Sequence, residues 1–359
     1  MFYYLKILNH IFKSEILEIP GRVIAFVFLI MLLVVPVFTD HPYVLRVLTL
    51  TAIYAIYAAS WDVLAGFTGQ INLGQALFFG VSAYAGAKLN LCFDLSPWIT
   101  IPVGGIVAVV IGLIAALPAL RLRGFYLALV TLALPVILTG IIFIFPDFTG
   151  GELGLYGIDR LSNSIVLTYY ITMIVMLVSV FAMYKFTDDE SKYIRTGIIL
   201  HAIREDEITA RASGINTTSY KMMAFALSGF FAGIAGGLYS HYMKIVGPST
   251  LELFFSFQAI LWTVFGGMAT IYGAVVGVYI LYPLTEFIRI LPHVEDFRFI
   301  LLSVLLILVL LFMPEGLSPW VRDKIEIRCP RCKLINVITR KNCRACRAPL
   351  HLTKEQDIS

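Results

Sequence analysis

The chain has 359 residues, 59% of them hydrophobic and only 14% charged, with a mean hydropathy of +0.86 and a formal net charge of +4. Soluble globular domains carry an apolar share of roughly 45–50%, so these values exclude a soluble enzyme or binding module and point to a polytopic membrane protein. The basic excess is small and spread over loops and tail, which argues against a nucleic-acid partner and fits an inner leaflet of anionic membrane lipid.

Read in order, residues 1–22 carry Lys6, Lys13 and Arg22 among apolar positions and are expected to form a cytosolic N-terminal segment. The apolar run Val23–Phe38 follows. No small-x-small cleavage site comes after it and the region before it is long, so it reads as a span and not as a signal peptide. Further membrane elements are predicted at about Val44–Ala65, Leu73–Leu89, Trp98–Leu120, Phe125–Phe145, Ile165–Phe186, Met222–Tyr242, Phe257–Phe265, Ile271–Ile290 and Phe297–Met313. A helix needs roughly 20 residues to cross about 30 Å, so Phe257–Phe265 is too short to cross alone. The expected fold class is an all-α polytopic membrane protein with about ten membrane helices, some of them broken, and a small zinc-ribbon-like cytosolic tail. The expected divisions are a transmembrane domain at 23–320, containing a polar loop at 187–221, and a tail at 321–359.

Lys and Arg set the orientation. With the N-terminus inside, Arg121 and Arg123, then Lys192, Arg195, Arg204 and Arg211, and then the whole tail fall in the cytosol. The opposite connections are Asp40–Pro42, Asn90–Pro97 and Pro146–Ser164, where Arg160 is the only basic residue. Both termini are therefore expected in the cytosol of a cell-membrane protein.

Two membrane segments are interrupted. In Ser60–Ala87, Gly66, Gly69 and Gly74 and the polar Asp62, Gln70, Asn72 and Gln75 break an apolar stretch; in Trp262–Ile280 the interruptions are Gly266, Gly267, Gly273 and Gly277. Irregular backbone at membrane depth is tolerated only against protein or a water-filled cavity, and paired Gly-interrupted segments in two halves of a chain point to a translocation path. The path candidates are Asp62, Gly69, Gln70, Asn72, Gln75, Gly266 and Gly267. Glycines at helical spacing also mark close helix packing, the reading preferred for the second segment, and Asp62 has the alternative of lying at the cytosolic interface.

Between the halves lies a polar island, His201–Lys221, with Arg204, Glu205, Asp206, Glu207 and Arg211 among small apolar positions. A charge at the centre of a membrane helix costs roughly 2.5–3.5 kcal/mol, so the island must lie outside the bilayer. Its spacing predicts one short amphipathic helix stopped near Gly214 and Asn216. A surface-lying linker and a helix that takes a push from a soluble motor are both compatible with it.

In the tail, Cys329, Cys332, Cys343 and Cys346 form two CxxC knuckles separated by ten residues. That spacing lets four thiolates collect a tetrahedral Zn²⁺, each about 2.3 Å from the metal, with iron as the competitor. Arg328, Arg331, Lys333 and Arg340 offer a basic surface for lipid. Glu286 and Arg289 are expected to pair, and Trp98, Tyr169, Tyr170 and Trp320 to act as interfacial anchors. No HExxH or Ser–His or Cys–His arrangement is present.

GFTGQINLGQALFFGVSAYAG, starting at Gly66, resembles the early signature of the permease subunits of high-affinity branched-chain amino acid ABC transporters. Ala202–Asn216 followed by Tyr220–Tyr239 is similar to that family's cytosolic coupling loop and the next span. Gly266–Val278 and the ending MPEGL, Met313–Leu317, follow its pattern too, and the order resembles the M-type permease more than its H-type partner.

The resemblance implies that the island is a coupling helix docking into a groove on a cytosolic ATPase. Arg204, Glu205, Asp206 and Glu207 would then make charged contacts, and Ala210 and Gly214 would allow close approach. It implies an importer of branched-chain, hydrophobic amino acids built from this chain, a second permease subunit, two cytosolic ATPase subunits and an extracytoplasmic substrate-binding protein. The chain has no GxxxxGK[ST] loop, so no nucleotide is expected on it by that route and ATP hydrolysis would come from the partners. Relatives often carry Asn at the position of Asp62 and a hydroxyl residue or His at those of Asn72 and Gln75. Urea and short-amide permeases of the same broad family lack the Gln at Gln70, which favours amino acids. From another class, an ion-coupled secondary transporter would account for the spans, but Asp62 is its sole deep acid.

Overall fold

The computed structural model describes residues 20–39, 41–119, 124–188, 195–290, 298–332, 335–338, 340, 342–343 and 346–350. The expectations resting on Lys6, Lys13, Asp40, Arg121, Arg123, Lys192 and Lys333 lie outside the described residues. Two compact units are formed, 1–40 with 317–359, and 41–316.

The smaller unit holds α1 (Pro20–Phe38). The larger holds α2 (Pro42–Thr68), α3 (Gln75–Phe93), α4 (Pro97–Ala119), α5 (Phe125–Ile144), the single turn α6 (Pro146–Thr149), β1 (Leu155–Tyr156) and α7 (Ile165–Thr187). It continues with α8 (Thr196–Glu205), α9 (Glu207–Ala212), α10 (Thr217–Met243), β2 (Ile245–Val246), a 3-10 turn (Pro248–Leu251), α11 (Leu253–Gly266), α12 (Ile271–Ile290) and α13 (Arg298–Phe312). The smaller unit is completed by α14 (Leu317–Ile325), β3 (Glu326–Arg328) and β4 (Ile335–Val337), the two strands pairing antiparallel with Ile327 opposite Asn336.

Among the described residues, each of the ten predicted membrane elements contains a helix. Among the described residues, α2, α3, α5, α7, α10, α12 and the Pro97–Ala115 part of α4 are long and apolar enough to cross a membrane, while α11 has 14 residues and is too short to do so upright.

Helix α2 is the mast of the larger unit. Every residue from Thr49 to Thr68 is buried, as expected of a helix without a polar face. Its hydroxyls fold back on the helix, Thr49 donating to the Leu45 carbonyl and Thr51 to that of Val47, each at 2.7 Å. It packs on α7, α10, α11 and α12, and the Tyr54 ring sits among Phe255, Trp262 and Tyr282, with centroids 5.7, 5.2 and 4.9 Å away.

Small residues bring α10 close to its neighbours. A Cβ at Gly233 would meet the Gly105 backbone of α4, and one at Gly236 would collide with the Phe79 carbonyl of α3. Close approach of this kind is how helices associate where no hydrophobic force distinguishes protein from lipid.

Across its 27 residues α10 reaches about 40 Å. At its far end β2 pairs with β1, Leu155 opposite Val246. There His241, 1% exposed, bonds the Thr100 hydroxyl at 2.6 Å and the Asp159 carbonyl at 2.8 Å, while Asn90 bonds the Asp159 carboxylate and amide. The connections at 90–97 and 146–164 therefore share one end of α10, and the polar island occupies the other.

One expected anchor is corrected: Tyr169 is 1% exposed, because it shares the buried face of α7 with Met173 and Met176, whereas Trp98 is 59% exposed. Trp320 is half-buried with the Lys324 ammonium 3.6 Å from its ring centroid. Glu286 and Arg289 pair at 3.8 Å.

Candidate functional sites: coupling segment, chain breaks and thiol cluster

The polar island folds as two short helices, not the single one its spacing predicts. The break is Asp206, at φ −153° and ψ 105°. Its carboxylate accepts from the Ile208 and Thr209 amides at 2.8 and 3.3 Å and from the Thr209 hydroxyl at 2.6 Å. Capping α9 in this way competes with continuing α8, and the hydroxyl and amide donors hold the Asp206 carboxyl below the usual carboxylate range. Gly214, at φ +85°, ends α9; its amide bonds the Arg211 carbonyl and that of Ile215 reaches Ala210, a Schellman ending that a β-carbon disfavours. Asn216 then caps α10 by accepting from the Ser219 amide at 3.1 Å.

Glu207 fastens this segment to the bundle. One carboxylate oxygen meets Lys221 Nζ at 2.7 Å and the other Arg211 Nη2 at 3.0 Å. The Lys221 and Glu207 side chains are 10% and 18% exposed, so water screens the pair little. Helix α8 buries Gly197, Leu200 and Ile203, and His201 meets the Phe67 ring of α2 at 5.3 Å. Of the six residues expected to face a partner, Arg204, Glu205, Asp206 and Gly214 are exposed, while Glu207 and Ala210 turn towards the protein's own core.

The first interruption spans 69–74. The chain leaves α2 at Gly69, in the left-handed region at φ +69°, and runs back beside the last turns of the same helix: Trp61 Nε1 donates to the Asn72 carbonyl at 2.7 Å. The amides are spent on holding this bend. Asn72 Nδ2 donates to Gln75 Oε1 at 2.8 Å, Asn72 Oδ1 accepts from the Gly74 amide at 2.9 Å, and Gln75 Nε2 reaches the Ser60 and Ser228 hydroxyls at 2.9 and 3.2 Å. Ser256 of α11 accepts from the Ala76 amide and Thr131 of α5 from that of Leu73. One buried polar knot thus joins α2, α3, α5, α10 and α11.

The second interruption, Gly267–Thr270, turns α11 into α12. A Cβ at Gly266 would run into the Gly273 carbonyl, and one at Gly277 into the Trp262 carbonyl, so these glycines let the two helices pack backbone to backbone. Asp62, fully buried, reaches this break: its Oδ1 accepts from the Ala269 amide at 2.8 Å. Asp62 is thus enclosed by protein, and the two interrupted segments touch.

Two cavities lie near opposite ends of α10. One of about 200 Å³ is lined by Gly69, Gln70, Ile203, Arg204, Glu207 and Lys221. The other, about 410 Å³, is lined by Phe143, Glu152, Tyr239, Ser249, Thr250 and Glu252. Lys221 and Tyr239 lie roughly 27 Å apart along the helix.

In the smaller unit, Cys329, Cys332, Cys343 and Cys346 bring their sulfurs within 4.8 Å of one another, with Cys329–Cys346 and Cys332–Cys343 at 3.5 Å. The Cys332 amide, then that of Arg331, hydrogen-bonds Cys329 Sγ and holds this thiol below its ordinary value. Four sulfurs at the corners of a tetrahedral thiolate site stand roughly 3.8 Å apart, so the cluster can hold a metal ion.

Residues 43–310 match the family model of the permease component of branched-chain amino acid transport systems. The chain belongs to this family. It is 28% identical over 316 residues, 79% of this chain and 72% of the relative, to the high-affinity branched-chain amino acid transport system permease protein LivM of Salmonella typhimurium. The LivM protein of Escherichia coli gives 28% over 311 residues, 78% of this chain and 71% of the relative. A probable branched-chain amino acid transport permease protein LivM of Methanocaldococcus jannaschii gives 24%, covering 80% and 96%. The permease family match takes in both breaks and the island and stops before the thiol cluster.

Within this permease bundle the sequence reading passed over Ser60, Ser228 and Ser256, which close the polar knot, and Lys221, which anchors Glu207. Lys221 carries a legible signal: it is a lone cation at the start of a span, and Glu207 is the acid nearest the preceding turn. The serines carry none, since a buried hydroxyl usually bonds its own helix.

Proposed function

We propose that this chain is the multi-pass permease subunit of an ABC importer and forms, with a second permease, the path for branched-chain, hydrophobic amino acids. Its termini lie in the cytosol, two ATPase subunits supply hydrolysis, and an extracytoplasmic binding protein delivers the solute. The observation that carries this reading is the α8–α9 segment, tied to α10 through Glu207 and Lys221 while Arg204, Glu205 and Asp206 stay exposed. A rigid, charged projection on one end of the bundle is what a motor protein needs in order to push. Arg204, Glu205, Asp206 and Gly214 meet the ATPase, and Glu207 and Ala210 hold the segment to its own bundle. The cavity beside Tyr239 is the outward vestibule. Asp62, Gly69, Gln70, Asn72, Gln75, Gly266 and Gly267 frame the path and set its shape.

In the tail, Cys329, Cys332, Cys343 and Cys346 hold Zn²⁺, with iron as the competitor for a Cys₄ site. The metal supplies a cross-link that fixes a small fold.

The test is uptake of leucine into proteoliposomes holding the complete complex, with other amino acids and urea as competitors. ATP-dependent leucine uptake is expected, and Glu205→Arg or Gly214→Arg is expected to abolish it with insertion intact. Uptake without a nucleotide-hydrolysing partner, or normal uptake by both variants, contradicts the reading.

A further inference from the structure

Three pieces of chain far apart in sequence meet at the α11–α12 break. From α2, Asp62 Oδ1 accepts from the Ala269 amide in the α11–α12 break at 2.8 Å. One turn on, Gly66 leaves the space this contact needs, because a Cβ there would collide with the Asp62 carboxylate and stand 2.7 Å from the Ala269 nitrogen. Against the other side of the break lies Gly316, whose Cβ would fall 2.6 Å from the Gly267 nitrogen. The break itself is held in an uncommon conformation, with Gly267 at φ +123° and Ala269, a residue with a β-carbon, at φ +57°. Such a backbone persists where its surroundings fix it; the Thr270 hydroxyl holds it from within, donating to the Gly267 carbonyl at 2.7 Å, and the Asp62 carboxylate holds it from α2.

The same helix touches the coupling segment. Phe67 packs on His201 at 5.3 Å, and Gly69 lies against Arg204, whose Cγ would be 3.4 Å from a Cβ at that glycine. The last two turns of α2 thus carry the coupling segment at their end and the α11–α12 break on their side.

We propose that Asp62 is a positioning residue that passes movement of the α8–α9 segment to the α11–α12 break, and that it does not touch the solute. The proposal rests on the coupling role assigned above and names the contact through which coupling enters the second half of the bundle. Asp62 is fully buried, it lines neither cavity, and Oδ1 is committed to the Ala269 amide. The contact needs one acceptor oxygen at a fixed reach and no charge, so an amide at this position serves and a longer acid does not.

The experiment uses the complete reconstituted complex and reads, for each variant, leucine taken up per ATP hydrolysed and the KM for leucine uptake. Asp62→Ala is expected to keep hydrolysis, to lower uptake per ATP by about tenfold or more, and to leave KM within about twofold. Asp62→Asn is expected to restore uptake per ATP to near the unaltered value, and Asp62→Glu is expected to fail like the alanine variant. Should Asp62→Ala not assemble, the Asn and Glu variants carry the comparison, and equal coupling in those two overturns the proposal. So does a KM that rises about tenfold with uptake per ATP unchanged, since that marks a solute contact. Unaltered complex without ATP-driven uptake would refute the function itself, whereas uptake that is indifferent to Asp62 refutes only this inference.

Discussion

Glu207 shows at the scale of single residues how a charged segment is held on a membrane bundle. Both of its carboxylate oxygens are engaged, by Lys221 and by Arg211. Removing the lysine leaves a largely buried carboxylate short of its strongest donor, and a hydrogen bond to a charged group contributes about 1.5–3 kcal/mol. Lys221→Met is therefore expected to lower the melting temperature of the solubilised protein and to speed amide exchange over 207–215. Adding Glu207→Gln to it is expected to cost less than the sum of the two single changes. The cap Asp206 gives a pH dependence. Its folded carboxyl value is depressed, so its contribution to α9 is complete above the ordinary carboxylate range and is lost as pH falls through the depressed value. Amide exchange at Ile208 and Thr209 should accelerate across that acid window, and Asp206→Asn, which can still cap, should remove the dependence.

At the scale of elements, α11 and α12 meet backbone to backbone at Gly266, Gly273 and Gly277. Gly277→Val places a β-carbon where the Trp262 carbonyl stands, and overpacking of this kind costs about 1–3 kcal/mol or more. The expected result is a drop in folded yield and melting temperature, whereas Gly140→Val, at a site open on every side, should be neutral. This packing was legible in the sequence because Gly273 and Gly277 stand four apart and Gly266 precedes them in the same apolar stretch. The island was only partly legible: its exposure follows from five charges, but its split at Asp206 depends on which donors one carboxylate finds. Hydropathy located the first interruption yet could not tell that Asn72 and Gln75 spend their hydrogen bonds on each other, on Ser60 and Ser228 and on the backbone, since a partner such as Ser228, 153 residues from Gln75, leaves no local trace. For the same reason Tyr169 read as an anchor: an aromatic at the end of an apolar run looks the same whether it faces lipid or the protein interior.

For the whole molecule, a buried central helix touches the α8–α9 segment at one end and meets the second interrupted segment along its side. The tail adds a separate element beyond the family match. Full-length protein is expected to bind one equivalent of zinc by elemental analysis, to lose it in Cys329→Ser/Cys343→Ser, and to keep it in Cys92→Ser, which lies far away in sequence on α3. The most direct test of the coupling role is site-specific photo-crosslinking in the intact, nucleotide-driven complex, with the reactive group placed in turn at Glu205 on the coupling segment and at Tyr156 on the opposite end of the bundle, both exposed. The account predicts that position 205 captures the nucleotide-hydrolysing subunit and position 156 does not. Capture from 156 with none from 205 would contradict it.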